Sequence, residues 1–155
     1  PRVYVALEQV RSAQNVGSIF RTADGAGAAG LYLIGATPTP TDRFGRTRSD
    51  IAKTALGAEN AAPWTYFENA NGFLAAMRKN GLRIVAVEQD ERAVDYRERM
   101  PCDDVVLVFG NEVSGISREM LDSADRIIAI PMRGKKESLN VAVAAGIVLY
   151  RLLDR

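Results

Sequence analysis

Residues 15–34, NVGSIFRTADGAGAAGLYLI, decide how the chain is wound. Within them Gly25, Gly27 and Gly30 spell G-x-G-x-x-G, the spacing of a phosphate-cradling dinucleotide loop. Such a loop works only where a strand runs into the first glycine and a helix starts just beyond, so that the helix N-terminus faces the pyrophosphate. Here Val16, Ile19, Phe20 and Ala23 fall at i, i+3, i+4 and i+7, an amphipathic helical stripe that lies before the glycines. The apolar run Leu31-Tyr32-Leu33-Ile34 lies after them. The order is helix, glycines, strand, the reverse of a dinucleotide loop. The pattern predicts a helix started by Asn15 or Ser12, ended at Gly25, and turned into the next strand by residues 25–30. A nucleotide-binding oxidoreductase built on these glycines is the competing reading.

Outward from this stretch the same alternation continues. Val3-Tyr4-Val5-Ala6-Leu7 reads as a first strand. Residues 36–48 form a polar loop with two prolines and three arginines, and 49–57 a short helix with Ser49 as its cap. Trp64 to Phe67 reads as a short or edge strand after Pro63. Residues 69–80 suit a helix ending at Gly81, and Leu82 to Val87 a buried strand. Residues 89–101 are charged and loop-like. Val105 to Phe109 is another buried strand, followed by a short helix near 117–123 and a strand from Arg126 to Ile130. From Ser138 the chain reads SLNVAVAAGIVLYRLL, apolar nearly all round, which predicts a helix buried on more than one side and packed against another subunit. The fold class expected is α/β, a mostly parallel sheet flanked by helices, with residues 1–155 as one domain.

Composition removes several chemistries. The 155 residues carry 20 Lys and Arg against 19 Asp and Glu, a net charge of +1, so any polyanion site rests on a local basic cluster. There is no histidine, and Cys102 is the one cysteine. Disulfide scaffolds, Cys/His zinc sites and histidine-based triads within one chain are excluded, and no metal is expected. No uncharged apolar run reaches membrane-spanning length, so no membrane partner is expected and a cytoplasmic location is.

In an open parallel sheet, ligands gather at the carboxyl ends of strands. Three ends here carry unusual loops: Glu88-Gln89 after 82–87, FGNEVSGIS at 109–117, and IPMRGKKESLN at 130–140. Glycines beside strand ends let backbone groups approach a ligand closely.

NVGSIFRTADGAGAAG (15–30), FGNEVSGIS (109–117) and IPMRGKKESLNVAVAAGIVLY (130–150) resemble the three motifs of the SpoU/TrmH family, in the SPOUT superfamily of RNA methyltransferases. ALGAE at 55–59 is similar to the segment that this family carries between its first two motifs. The resemblance covers nearly the whole chain and keeps the motif order. It implies methyl transfer from S-adenosylmethionine to a ribose 2′-hydroxyl of tRNA or rRNA. It also implies a C-terminal deep trefoil knot whose loops hold the cofactor bent, and a homodimer with the active site at the interface.

Carried over residue by residue, the resemblance makes Asn15, Arg21, Glu112, Ser138 and Asn140 the catalytic candidates, with Arg21 central. Val87, Glu88, Gly110, Asn111, Gly115, Ile130, Met132, Ser138 and Leu139 are the cofactor-binding candidates. Each has a plainer reading. Arg21 sits beside Phe20 as a solvated helix arginine would, Glu112 suits a helix N-terminus, and Ser138 suits an N-cap. Asn140, a polar amide opening an apolar helix, calls for a partner. Two roles stay open for Arg21: proton acceptor beside an RNA phosphate, or charged stabiliser of the forming alkoxide.

Arg43, Arg46, Arg48 and Lys53 cluster after the second strand, and Arg133, Lys135 and Lys136 fall within the third motif. Either group serves as a phosphate grip or as solvated surface. RNA affinity is expected to come from the dimer surface, with tRNA favoured over rRNA. A catalytically inactive RNA-binding dimer of the same fold is the non-enzymatic alternative.

Overall fold

A computed structural model describes residues 1–100 and 102–154; Pro101, closing the charged 89–101 stretch, and Arg155 lie outside the described residues. In chain order the elements are β1 (Val3–Glu8), α1 (Ala13–Ala26), β2 (Gly30–Ile34), α2 (Ser49–Ala55), α3 (Ala58–Ala61), β3 (Trp64–Phe67) and α4 (Ala70–Lys79). These are followed by β4 (Arg83–Val87), β5 (Val94–Asp95), β6 (Val105–Phe109), α5 (Arg118–Ser123), β7 (Arg126–Ala129) and α6 (Val141–Leu153). The seven strands form one sheet in the order β3-β2-β1-β6-β4-β7-β5, and every pairing is parallel. All carboxyl ends therefore lie along one edge, and β6, β4 and β7 are consecutive neighbours.

Period-two alternation assigns the two faces. Val3, Val5 and Leu7 of β1, with Val105, Leu107 and Phe109 of β6, pack beneath α1, α2 and α6. Ala6, Val106 and Val108 point the other way, onto Phe73, Leu74 and Met77 of α4 and Met120 of α5. The stripe of α1, Val16, Ile19, Phe20 and Ala23, is wholly buried. Truncating Phe20 to alanine there would cost about 3–5 kcal/mol.

Several element ends differ from the sequence expectation, each for a local reason. Ser12 caps α1, its hydroxyl accepting from the Asn15 N–H. The helix runs through Gly25 and ends at Gly27, whose φ of 79° is the left-handed value a C-terminal glycine supplies. Gly25 instead makes room for α6, since a Cβ there would stand 3.1 Å from the Tyr150 hydroxyl. Arg48 precedes α2 without a side-chain cap bond, and Ser49 is its first helical residue. The ALGAE stretch breaks at Leu56 (φ 53°) and restarts as α3, where the Glu59 carboxylate accepts from the Gly57 N–H. In the charged 89–101 stretch, Val94 and Asp95 add β5 beside β7.

α6 begins two residues later than a Ser138 cap would start it. Asn140 is its N-cap, Oδ1 accepting from the N–H groups of Ala142 and Val143 at 2.8 and 3.3 Å. Ala145, Val148, Leu149 and Leu152 bury one side of this helix against the core. The opposite side leaves Val143 51% and Tyr150 53% exposed, an apolar face open within a single chain. Among the described residues no helix is long and apolar enough to cross a membrane.

Candidate functional site

Two carboxylates hold the loop that closes the site. β1 ends in Glu8 and β4 is followed by Glu88, which flank the carboxyl end of β6 on its two sides. Buried Glu8 accepts from the Ser117 N–H and hydroxyl, both at 2.8 Å. Glu88 accepts from the Ile116 N–H at 2.9 Å and from the Gln89 N–H at 3.1 Å. The 110–117 loop is thus clamped from both neighbouring strands. Hydrogen bonds to a charged carboxylate are worth about 1.5–3 kcal/mol each, so this loop is held rather than merely laid across the sheet.

Within the loop the chain turns back on itself. Asn111 and Gly115 exchange backbone hydrogen bonds at 3.2 and 3.0 Å, and Asn111 Oδ1 accepts from the N–H groups of Val113 and Ser114. The amide of Asn111 donates to the Gln9 carbonyl at 2.8 Å. Only glycine fits at two positions. A Cβ on Gly110 would meet the Ile116 nitrogen and stand 2.5 Å from the Gly115 carbonyl carbon. Gly115 has φ 73°, and a Cβ there would collide with the Glu88 carboxylate.

The loop closes one side of a cavity of about 400 Å³ at the carboxyl ends of β4, β6 and β7. Val87, Glu88, Gly110, Asn111, Glu112, Gly115, Ile130, Ser138, Leu139 and Asn140 all line it, with Gln89, Phe109, Val113, Ala129, Val141 and Ala144. The amide of Gln89 donates to the Ile130 carbonyl at 2.8 Å and ties the loop after β4 to the one after β7. Among the described residues the lining carries two carboxylates, Glu88 and Glu112, and no lysine or arginine.

At the cavity rim, Glu112 receives the N–H groups of Arg11 and Ser12 at 3.3 and 3.1 Å. Burial disfavours its charge, but the N–H groups of Glu112 itself, Ser12 and Arg11, with the Asn15 amide, outweigh that and hold the carboxyl below the ordinary range. Asn15 donates to Glu112 at 3.5 Å, and its Oδ1 accepts from the Asn140 amide at 3.3 Å. Glu112, Asn15 and Asn140 therefore form one chain joining the 110–117 loop to the starts of α1 and α6.

Three site candidates do not line this cavity: Asn15, which reaches it only through Glu112 and Asn140, and Met132 and Arg21, which stand apart. Arg21 is exposed on α1, six residues beyond Asn15. That separation is about 9 Å along the axis and about 240° around it, so Arg21 faces outward from its own chain, away from Asn15. The outward face of α1 adjoins the open face of α6, where Gly25 meets Tyr150. Sequence reasoning missed Glu8. The signal available was a carboxylate closing an apolar strand, which must find a partner when buried.

The family model described as the SpoU rRNA Methylase family matches residues 2–150. The tRNA (guanosine(18)-2′-O)-methyltransferase of Escherichia coli strain K12 is 33% identical over 150 residues, covering 97% of this chain and 62% of that enzyme. The crystal structure of an AdoMet-bound rRNA methyltransferase from Sinorhizobium meliloti superposes with a TM-score of 0.89 at 36% identity, covering 97% of this chain and 55% of that one. A structure described for 2-OH methylation of C/U34 on tRNA has a TM-score of 0.82 at 28% identity, covering 97% of this chain and 93% of that one. The chain spans 57% to 66% of the length of the curated relatives it matches.

Proposed function

The chain belongs to the SpoU rRNA methylase family, and from that premise we propose that it transfers a methyl group from S-adenosylmethionine to a ribose 2′-hydroxyl of RNA, residues 1–155 forming one methyltransferase domain. The observation that carries this reading is the cavity. Loops separated widely in sequence, after β4, β6 and β7, converge with the start of α6 on one space. Its volume falls in the range of about 300–1,000 Å³ usual for small-molecule sites. Val87, Ile130, Leu139 and Val141 offer apolar walls to an adenine, and Glu88 and Glu112 suit a cation. When bound, S-adenosylmethionine supplies a methyl group already activated on a positive sulfonium.

The chain's own task is to position and to deprotonate. The Glu112–Asn15–Asn140 chain fixes the rim and leaves polar groups beside the cavity, where a ribose would be oriented. Holding the reacting atoms near attack geometry is worth about 7–11 kcal/mol. Arg21 belongs to this site through a second copy. A two-fold dimer across the open faces of α1 and α6 would bury Val143 and Tyr150 and carry the partner subunit's Arg21 toward the cavity mouth. There the guanidine either takes up the hydroxyl proton as the 2′-oxygen attacks, or stays charged and stabilises the forming alkoxide while the proton passes to solvent water. The knotted threading of the 110–140 region belongs to the same reading and is supported by the convergence of its loops.

The substrate we favour is tRNA, in the cytoplasm, supported by two matched proteins described as acting on tRNA. The Sinorhizobium meliloti match favours rRNA as the second reading. Radiolabelled S-adenosylmethionine with bulk tRNA and, separately, rRNA tests both, followed by mass spectrometry of the nucleosides. Label recovered as a 2′-O-methylnucleoside from tRNA is the expected outcome. Label on a base, or in neither RNA, would end the proposal.

A further inference from the structure

Between β2 and α2 the chain makes a short hairpin that the cavity does not use. Thr41 and Thr47 bridge in antiparallel fashion, and Gly45 turns the tip with φ 77°. Asp42 organises it, its carboxylate accepting from the N–H groups of Phe44 and Arg46 and from the Arg46 guanidinium, at 2.8, 3.0 and 2.8 Å. The product is an aromatic ring held out into solvent. Phe44 is 67% exposed, with the guanidinium of Arg43 4.8 Å and that of Arg46 5.0 Å from its ring centre.

The charges decide what this tip is suited to bind. Arg46 is paired with Asp42 and Arg48 with Asp50. No ion pair of Arg43 is formed among the described residues, so the hairpin presents about one free positive charge rather than a phosphate-gripping cluster. An exposed aromatic flanked by guanidinium planes instead matches the platform on which unpaired nucleic-acid bases stack. Its place in the fold agrees. The hairpin leaves the same edge of the sheet as the cavity, its root tied to the 110–117 loop through Gln9. Gln9 takes the Ala36 N–H on its side-chain oxygen at 2.7 Å and the Asn111 amide on its carbonyl. β2 and β6 are separated by β1 alone, so root and cavity stand about 10 Å apart.

We propose that Phe44, with Arg43 and Arg46, is a stacking platform for an unpaired base of the RNA substrate near the methylated ribose. This rests on the methyl-transfer reading and adds to it the recognition of single-stranded nucleotides at a second point. Arg46 is anchored by Asp42, whereas Arg43 is the guanidinium able to move from the ring onto a phosphate.

The experiment uses the full chain with Phe44→Ala, Phe44→Tyr, Phe44→Trp and Arg43→Ala, and bulk tRNA and a fluorescein-labelled 15-nucleotide oligoadenylate as probes. Phe44→Ala is expected to weaken binding of both probes by about 5- to 150-fold while Phe44→Tyr retains it, the range that loss of one stacked base gives. Arg43→Ala is expected to lower the slope of affinity against salt by about one, with Phe44→Ala leaving that slope unchanged. Emission from Phe44→Trp, taken as a difference against wild type because Trp64 also emits, is expected to be quenched by the oligoadenylate. Equal probe affinity for Phe44→Ala and wild type would overturn the inference. So would a loss of self-association on sedimentation without loss of RNA affinity, which would make the tip a protein contact. Wild-type methyl transfer, assayed in parallel, separates the two failures. Where wild type and Phe44→Ala methylate equally the platform alone falls, and where wild type methylates no RNA both readings fall.

Discussion

Gly115→Ala puts the construction of the cavity under a quantitative test. The residue sits at φ 73°, and a Cβ there would meet Oε2 of Glu88 with Cδ of the same carboxylate at 3.2 Å. Alanine in the left-handed region costs about 1–2 kcal/mol. Displacing the Glu88 carboxylate forfeits its 2.9 Å hydrogen bond from the Ile116 N–H, worth about 1.5–3 kcal/mol as a bond to a charged group. The variant should therefore lose about 2.5–5 kcal/mol, which a domain of ordinary stability survives. Glu88→Ala removes the obstacle and the bond together. In that background Gly115→Ala should cost only the backbone term, about 1–2 kcal/mol, leaving a coupling of about 1.5–3 kcal/mol between the sites. Urea denaturation of the four proteins of the cycle measures the coupling, and calorimetric titration with S-adenosylmethionine should show weakened binding in each variant. Additivity within about 0.5 kcal/mol would refute the claim that Glu88 holds the loop against Gly115.

Glu112 is held below the ordinary glutamate range, so its contribution is present above the unfolded value near about 4.3 and is lost as pH falls through the lower folded value. Stability measured against pH should fall less steeply over that acid window in Glu112→Gln than in wild type. At Gly17 a Cβ would collide with the Thr54 hydroxyl and the Ile51 carbonyl, so Gly17→Ala should push α1 from α2 and lower stability by about 1–3 kcal/mol or more in denaturant titrations. Arg21→Ala should abolish methyl transfer while calorimetry finds S-adenosylmethionine affinity nearly unchanged. Tyr150→Asp, on the open face of α6, should shift sedimentation from dimer to monomer and remove turnover with it.

The sheet was legible because its strands are short apolar runs bounded by glycines and charges, and α1 because its stripe is regular. What was not legible lies where tertiary contact overrides local pattern. Gly25 reads as a helix end, yet the close approach of Tyr150 explains a glycine there without ending the helix. β5 is two residues inside a charged stretch, and its strand character comes wholly from pairing with β7. Ser138 and Asn140 are equally good caps by residue type, and the partner across the gap, Asn15, accompanies Asn140. The cavity lining was largely readable through the motif resemblance, because strand-end loops in a parallel sheet share one edge. Glu8 was not, since its value depends on a serine 109 positions away. Arg21 was chosen by motif, and its own chain turns it outward; a second copy is what the reading requires.

Hydrogen exchange measured by mass spectrometry, with and without S-adenosylmethionine, addresses the cavity most directly. Peptides spanning 87–89, 110–116 and 138–144 should gain protection together, while those of the 41–48 hairpin and α4 stay unchanged. Protection confined to residues 25–30, or absent from all three loops at saturating ligand, would contradict the assignment of the cofactor to this cavity.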